Sequence, residues 1–293
     1  MTARQSNFQA IGTQWSIQVK DKITKASWTK TMQSVHLRIQ DFDQAYSRFR
    51  DDSLVTRLSK LPGQHNLASD GYDLVHFYDQ LYAATNGKVT PLIGQAVADA
   101  GYDASYSFKP RQMQQPPDWE STISYTKDSI TLSQPALLDF GAAGKGYLVD
   151  VVGELLENDG LRSFTINASG DILHRSDKAA SLDVGLENPL DTSEVIGIVQ
   201  LGNRSLCASA GSKRKWGKFT HIIDPVTLES PQEITATWVI ADNTMMADGL
   251  ATALFFTDAN QLLKHFSFTW AVLHKDMQLS YAKDFPVKLF QAV

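Results

Sequence analysis

The sequence predicts an α+β protein in which antiparallel or mixed sheets are flanked by helices, and three observations predict it. The first third reads mostly as helix. The middle and the C-terminal parts carry runs of adjacent strand-like segments. Helices punctuate those runs without the regular alternation of a parallel βαβ winding. From Phe8 to Val19 apolar residues alternate with polar ones (Ile11, Trp15, Ile17 and Val19 against Gln14, Ser16 and Gln18), the period of a half-buried strand, so a hairpin or sheet edge starts the fold. Ser27 to Ala45 then places Trp28, Met32, Val35, Leu37, Ile39 and Phe42 at roughly helical spacing, and shorter helical patterns follow at 53–58 and 71–84. A Pro- and Gln-rich stretch from Lys109 to Pro117 breaks the pattern, so a single domain over 1–293 is expected, divided into two subregions by a loop at 109–117.

Strand-like runs at 122–125 and 129–132 lead into LLDFGAAGKGYLVDVVGELLEN. There Leu148, Val151, Val152, Leu155 and Leu156 form the stripe of a core-facing helix that Asp159-Gly160 terminates. Further strand-like runs occupy 163–167, 172–174, 181–184, 195–199, 220–223 and 235–241. An apolar helix near 245–256, another near 259–266 and two closing strands complete the chain.

Composition removes several function classes. With 43% hydrophobic residues among 293, the chain can bury one large core or two modest ones. Lys plus Arg is 27 against 32 for Asp plus Glu, a net charge of −5, which leaves no basic excess for nucleic acid as the main partner. The lone Cys207 forms no internal disulfide and has no metal-ligand spacing around it. No run approaches the roughly 18 apolar residues that cross a bilayer, and the first residues lack a secretory pattern, so a cytoplasmic location is expected.

The segment MMADGLATALFF, residues 245–256, carries the clearest chemical signal. Its two polar residues, Asp248 and Thr252, stand four apart and share one helix face. A carboxylate in such surroundings must be protonated, paired with a cationic side chain or bound to a metal ion. Carboxylate plus hydroxyl suits Mg²⁺; the same residues also fit an Asp capping the helix start, with Thr252 bonded back to a carbonyl. The run from Asp139 to Tyr147, DFGAAGKGY, brings small residues and Lys145 to a helix start, where amides attract phosphate; the other reading is a tight turn with a solvated lysine. It matches neither a P-loop nor a dinucleotide fingerprint. His221-Ile222-Ile223-Asp224-Pro225 offers one histidine as an acid-base group or as a structural residue, and no two of the seven histidines share helical zinc spacing. The aromatics beside Gly12-Thr13 and in Tyr46-Ser47-Arg48-Phe49 stack on a flat ring or belong to the core. Ala208 to Trp216 contacts phosphate or is a solvated turn.

Taken in order, IGTQW, SRFRDDSLVTRL, TPLIGQ, DFGAAGKGYLVD, NASGDI, ASAGS, THIIDP and MADGLATAL resemble the FAD:protein FMN transferases of the ApbE family, from Ile11 to about Phe256. The resemblance implies an ApbE-like fold with the flavin nucleotide in a cleft between subregions. It implies FAD as substrate and Mg²⁺ as cofactor, with the FMN half passed to a Thr or Ser hydroxyl of a target protein and AMP released. By resemblance, Asp248 and Thr252 are metal ligands together with the backbone carbonyl of Gly144. Lys145 and Asp150 serve the adenosine half of FAD, Gly12, Thr13 and Phe49 line the flavin side, and His221 is the candidate base. Thr220, Leu228, Ala210, Ser169 and Leu54 depart from the family pattern; Ser169 and Leu228 stand where it has glycine. Two further outcomes follow from the same motifs: a Mg²⁺-dependent FAD pyrophosphatase yielding AMP and FMN, and a flavin-binding protein without catalysis.

Overall fold

A computed structural model describes residues 2–68 and 71–290. The chain opens with a hairpin of β1 (Thr2–Ala10) and β2 (Thr13–Ile23), paired through Ala10 and Thr13. The hairpin expected at the start of the fold is present, and the alternating stretch 8–19 turns at Ile11-Gly12 within it. Both residues have positive φ, 44° and 72°, the backbone that a two-residue hairpin turn demands. Helix α1 (Lys25–Tyr46) starts where the Thr24 hydroxyl accepts the N–H of Ser27, and it buries Trp28, Met32, Val35, Ile39 and Phe42. Leu37 lies off that stripe and is exposed.

Then come α2 (Leu54–Leu58), β3 (Gly63–Asn66), α3 (Gly71–Ala84), α4 (Gly94–Asp99), α5 (Trp119–Thr122), β4 (Ile123–Tyr125) and β5 (Ser129–Leu132). Next, α6 (Gly144–Asn158) precedes β6 (Phe164–Ala168), β7 (Asp171–Arg175), β8 (Leu182–Asn188), β9 (Asp191–Leu201) and β10 (Ser205–Ala210). The chain continues through β11 (Lys215–Trp216), β12 (Phe219–Thr220), β13 (Ile234–Ala241), α7 (Thr244–Ala253), α8 (Ala259–Leu262), β14 (Thr269–His274), β15 (Leu279–Tyr281) and β16 (Val287–Leu289).

The central sheet has eight strands in the order β1-β2-β6-β7-β10-β13-β14-β15, each pair antiparallel. Alternation along its strands feeds two cores. Leu173, Cys207 and Val239 face the helical side, where Val35, Leu81, Leu148, Val152 and Leu250 pack. Their neighbours Ile172, Leu206 and Trp238 face the small sheet β16-β9-β8, meeting Leu186, Val199 and Leu201. The stretch at 109–117 is irregular, and residues on both sides of it contribute to the helical core.

Two expectations are corrected here. The strand expected over 220–223 reduces to Phe219–Thr220, because the Thr220 hydroxyl itself accepts the Ile222 N–H and bonds the Ile222 carbonyl, turning the chain at His221. The segment around Ala208, read as contact loop or turn, begins inside β10, which lies between β7 and β13 in the sheet. Among the described residues no helix is long and apolar enough to cross a membrane.

Candidate active site

A cleft of about 380 Å³ opens at the ends of the central strands, between the hairpin turns, the start of α6 and the face of α7 that carries Asp248 and Thr252. Gly12, Thr13, Phe49, Lys145, Asp248 and Thr252 line it, and so does His221. Gly144 borders the cavity that adjoins it.

The floor depends on the close approach of α6 to α7. A Cβ at position 146 would overlap the Thr244 carbonyl oxygen and lie 2.7 Å from Cβ of Asp248, so only glycine fits. That approach lets the Gly146 N–H donate to Oδ2 of Asp248 at 2.9 Å. Lys145 sets its Nζ on the Asp171 carboxylate and 3.1 Å from the Ala168 carbonyl. Asp171 is fully buried, and its Oδ1 has no hydrogen-bond partner.

Two buried carboxylates thus share one ammonium. Burial first, and then the charge of Asp171, push the Asp248 carboxyl well above the ordinary carboxylate range, while Lys145 and the Gly146 N–H pull it down. Burial disfavours the Lys145 ammonium, but Asp171 and Asp248 outweigh it and hold that pKa up. A divalent cation fits this deficit of positive charge. Among the described residues no cluster of three or more His, Cys, Asp or Glu is placed to hold a metal. Asp248 and Thr252 both line the cleft, while Gly144 borders the adjoining cavity.

Asp150 is not brought into the cleft. Its two oxygens accept the N–H groups of Thr244 and Met245, at 2.8 and 2.7 Å, and so cap the start of α7. Burial raises its pKa to about 6, although those two hydrogen bonds oppose the shift. Through those bonds Asp150 fixes the helix that carries Asp248.

His221 donates its backbone N–H to the Arg214 carbonyl, and its Nδ1 is buried without a partner. Burial, and then the Arg214 charge, lower its pKa to about 4, which leaves the ring neutral near pH 7.

Three site residues lay outside the expected set. The Arg48 guanidinium binds Oδ2 of Asp139 at 2.6 Å and the Tyr102 carbonyl at 2.7 Å, and it lies 4.2 Å from the centre of the Phe49 ring. Asp139 in turn accepts the Gly141 N–H at 2.6 Å, which ties the Arg48 wall to the turn before α6. The Tyr78 hydroxyl accepts the N–H groups of Ala142 and Ala143 at 3.0 and 3.1 Å. Arg48 and Asp139 sit in motifs that attract notice in the sequence; nothing in the pattern of 71–84 singles out Tyr78.

Of the departures from the family pattern, Ser169 and Ala210 line the cleft, Leu228 lines a separate outer hollow and Leu54 is buried in the helical core. Ser169 and Leu228 adopt left-handed backbones, φ 53° and 58°, where glycine is the unstrained choice. Ser169 compensates: its hydroxyl accepts the Gln14 N–H at 3.2 Å and donates to the Gln14 carbonyl at 3.1 Å, clasping two hairpin turns together. Leu228 has only its own N–H, bonded to the Asp224 carbonyl.

Fold and cleft together define an α+β protein built to hold a charged, ring-bearing ligand over a buried carboxylate pair. The ApbE family model matches residues 11–271, and the chain belongs to that family. It is 25% identical over 282 residues to the FAD:protein FMN transferase of Haemophilus influenzae, covering 87% of this chain and 81% of that one. It is also 25% identical over 275 residues to the FAD:protein FMN transferase of Treponema pallidum, covering 84% and 76%. Among solved structures, the flavin transferase ApbE from Vibrio cholerae superposes with a TM-score of 0.80 at 18% identity, over 97% of this chain and 98% of that one. The ApbE protein from Thermotoga maritima gives 0.83 at 16% identity, over 96% and 97%. At these identities the structural likeness speaks for the fold.

Proposed function

We propose that this protein transfers the FMN moiety of FAD to a Thr or Ser hydroxyl of a target protein and releases AMP. The observation that carries the proposal is the floor of the cleft, where Asp248 and Asp171 are buried with the charge of Lys145 alone between them, in a chain whose curated relatives are FAD:protein FMN transferases. In the transfer, the acceptor oxygen bonds to the FMN-side phosphorus of the FAD diphosphate. The bond from that phosphorus to the bridging oxygen breaks, AMP leaves with the electron pair, and the hydroxyl proton passes to a base.

Asp248, Thr252 and the Gly144 carbonyl are the residues that would hold Mg²⁺. When bound, the ion neutralises diphosphate charge and orients the reacting oxygens. Lys145, fixed by Asp171 and the Ala168 carbonyl, keeps an ammonium at the cleft for the adenosine side of the nucleotide. Gly12, Thr13 and Phe49 line the flavin side, with Phe49 backed by the Arg48 guanidinium. His221 is neutral above about pH 4, so it can accept a proton without first losing one.

Incubation with FAD, Mg²⁺ and a Thr-bearing acceptor peptide tests the reading by mass spectrometry. FMN attached to the peptide, with one AMP per adduct, is the expected result. Free FMN with AMP and no adduct would identify hydrolysis instead, and bound FAD with no AMP would identify a flavin-binding protein.

A further inference from the structure

The concave surface continues past the nucleotide cleft. An adjoining cavity of about 660 Å³ shares Arg48, Tyr102, Asp139 and Lys145 with the cleft and extends to Tyr106 and Phe108. Across Phe108 lies a further hollow of about 450 Å³, walled by Pro110, Arg111, Met113, Trp216 and Lys218. None of those five borders the nucleotide cleft, so a nucleotide seated at Lys145 does not account for them.

Two aromatic rings stand between the hollows. Tyr106 and Phe108 are each 47% exposed, and both hold left-handed backbones, φ 52° and 49°, unusual for bulky side chains. The loop that carries them is pinned. The Asp103 carboxylate accepts the N–H groups of Ser105 and Ser107, both at 3.0 Å, and their hydroxyls at 2.8 and 2.6 Å, while the Phe108 N–H closes on the Gly101 carbonyl at 2.8 Å. The rings rest on Phe49, Tyr102 and Trp216 and leave their outer halves exposed, and strain maintained by so many bonds to present them marks a surface shaped for a partner.

Charge says which partner. The chain carries −5 overall, yet Arg111, Arg214, Lys215 and Lys218 are all exposed around these hollows. Glu229 is the one acid lining the outer hollow, and the acids of the middle cavity are taken: Asp139 by Arg48 at 2.6 Å and Asp43 by Arg50 at 3.2 Å. Tyrosine, phenylalanine and arginine together are the composition of a protein-docking patch, and the net negative charge opposes nucleic acid.

We propose that this aromatic and basic surface, from Arg111 and Lys218 over Phe108 to the cleft, docks an extended acidic segment of the target protein, the segment that carries the acceptor hydroxyl. The proposal rests on the FMN-transfer reading for the identity of its partner.

The test uses the full chain, a fluorescent synthetic peptide with one Thr flanked by aspartates, and the same peptide with every Asp replaced by Asn. Anisotropy reads docking, calorimetry reads FAD binding, and mass spectrometry of the same mixtures reads transfer. For the double variant Arg111→Gln/Lys218→Glu, and separately for Phe108→Ala, the aspartate peptide is expected to bind about tenfold more weakly with FAD affinity unchanged. The asparagine peptide should bind wild type about tenfold more weakly and be indifferent to the double variant. Equal aspartate-peptide affinity in all three proteins, no binding to wild type, or displacement of the peptide by an equal concentration of RNA oligonucleotide would each overturn the assignment. Docking that responds to the variants without any FMN adduct would refute the transfer reading and leave the surface standing. Adduct formation at wild-type rate in both variants would do the reverse.

Discussion

The floor of the cleft and the turns around it are built to different standards. At the floor, α6 and α7 touch through Gly146, where a Cβ would overlap the Thr244 carbonyl, Asp248 receives that residue's N–H, and Lys145 is held by Asp171 and a carbonyl. In the turns around the cleft and the hollows beside it, Ile11, Ser169 and Leu228 occupy left-handed backbones that glycine would take without strain. Residues that set charge and helix contact have no local substitute. A strained turn residue can be offset by a neighbour, as Ser169 is by Gln14. The difference locates the tightest fit in this protein at the contact between α6 and α7 and not in the turns around the cleft.

The contrast can be broken most forcefully at the floor. Gly146→Ala forces a methyl into the Thr244 carbonyl and Asp248, so chemical denaturation should show a loss of about 3 kcal/mol. A loss below about 1 kcal/mol would mean that the helices are free to separate. Next is Asp150, whose folded pKa of about 6 lies above the ordinary carboxylate value of 3.8. Folding therefore takes up a proton between those values. The stability Asp150 contributes is complete below about pH 4 and is lost as pH rises through about 6, a decline on the order of 3 kcal/mol. Melting curves of Asp150→Asn should lack that decline.

In the turns the effects shrink and change sign. Ser169→Ala removes both bonds to Gln14 and keeps the left-handed backbone, so a loss of about 1 kcal/mol is expected, with faster amide exchange at Gln14. Leu228→Gly relieves strain that nothing offsets and should stabilise the protein by about 1 kcal/mol, read as an increased denaturation midpoint. Destabilisation by Leu228→Gly would show that the turns are as constrained as the floor.

How far the sequence discloses this arrangement follows from the range of each interaction. Helices α1, α3 and α6 are legible because an apolar stripe repeats within a few residues of itself. Asp248 and Thr252 are legible because polar atoms stand out in an apolar run. Strand β10, Ser-Leu-Cys-Ala-Ser-Ala, has no strand-like alternation, and only its place between β7 and β13 makes it a strand. Asp150 reaches across 94 positions to cap α7, and Tyr78 across 64 to hold the turn at Ala142. Such pairings leave no local trace, so motif resemblance placed Asp150 at the ligand and passed over Tyr78. Asp171 is quoted within NASGDI, but its role depends on meeting Lys145, which the sequence separates by 26 positions.

The most direct measurement is calorimetric titration of FAD with and without Mg²⁺, on wild type and on Asp248→Asn. If the buried carboxylate pair exists to hold a divalent ion beneath the nucleotide, Mg²⁺ should tighten FAD binding to wild type by about tenfold or more and leave the variant unmoved. Equal FAD affinity of wild type with and without Mg²⁺, or an undiminished Mg²⁺ effect in Asp248→Asn, would contradict it.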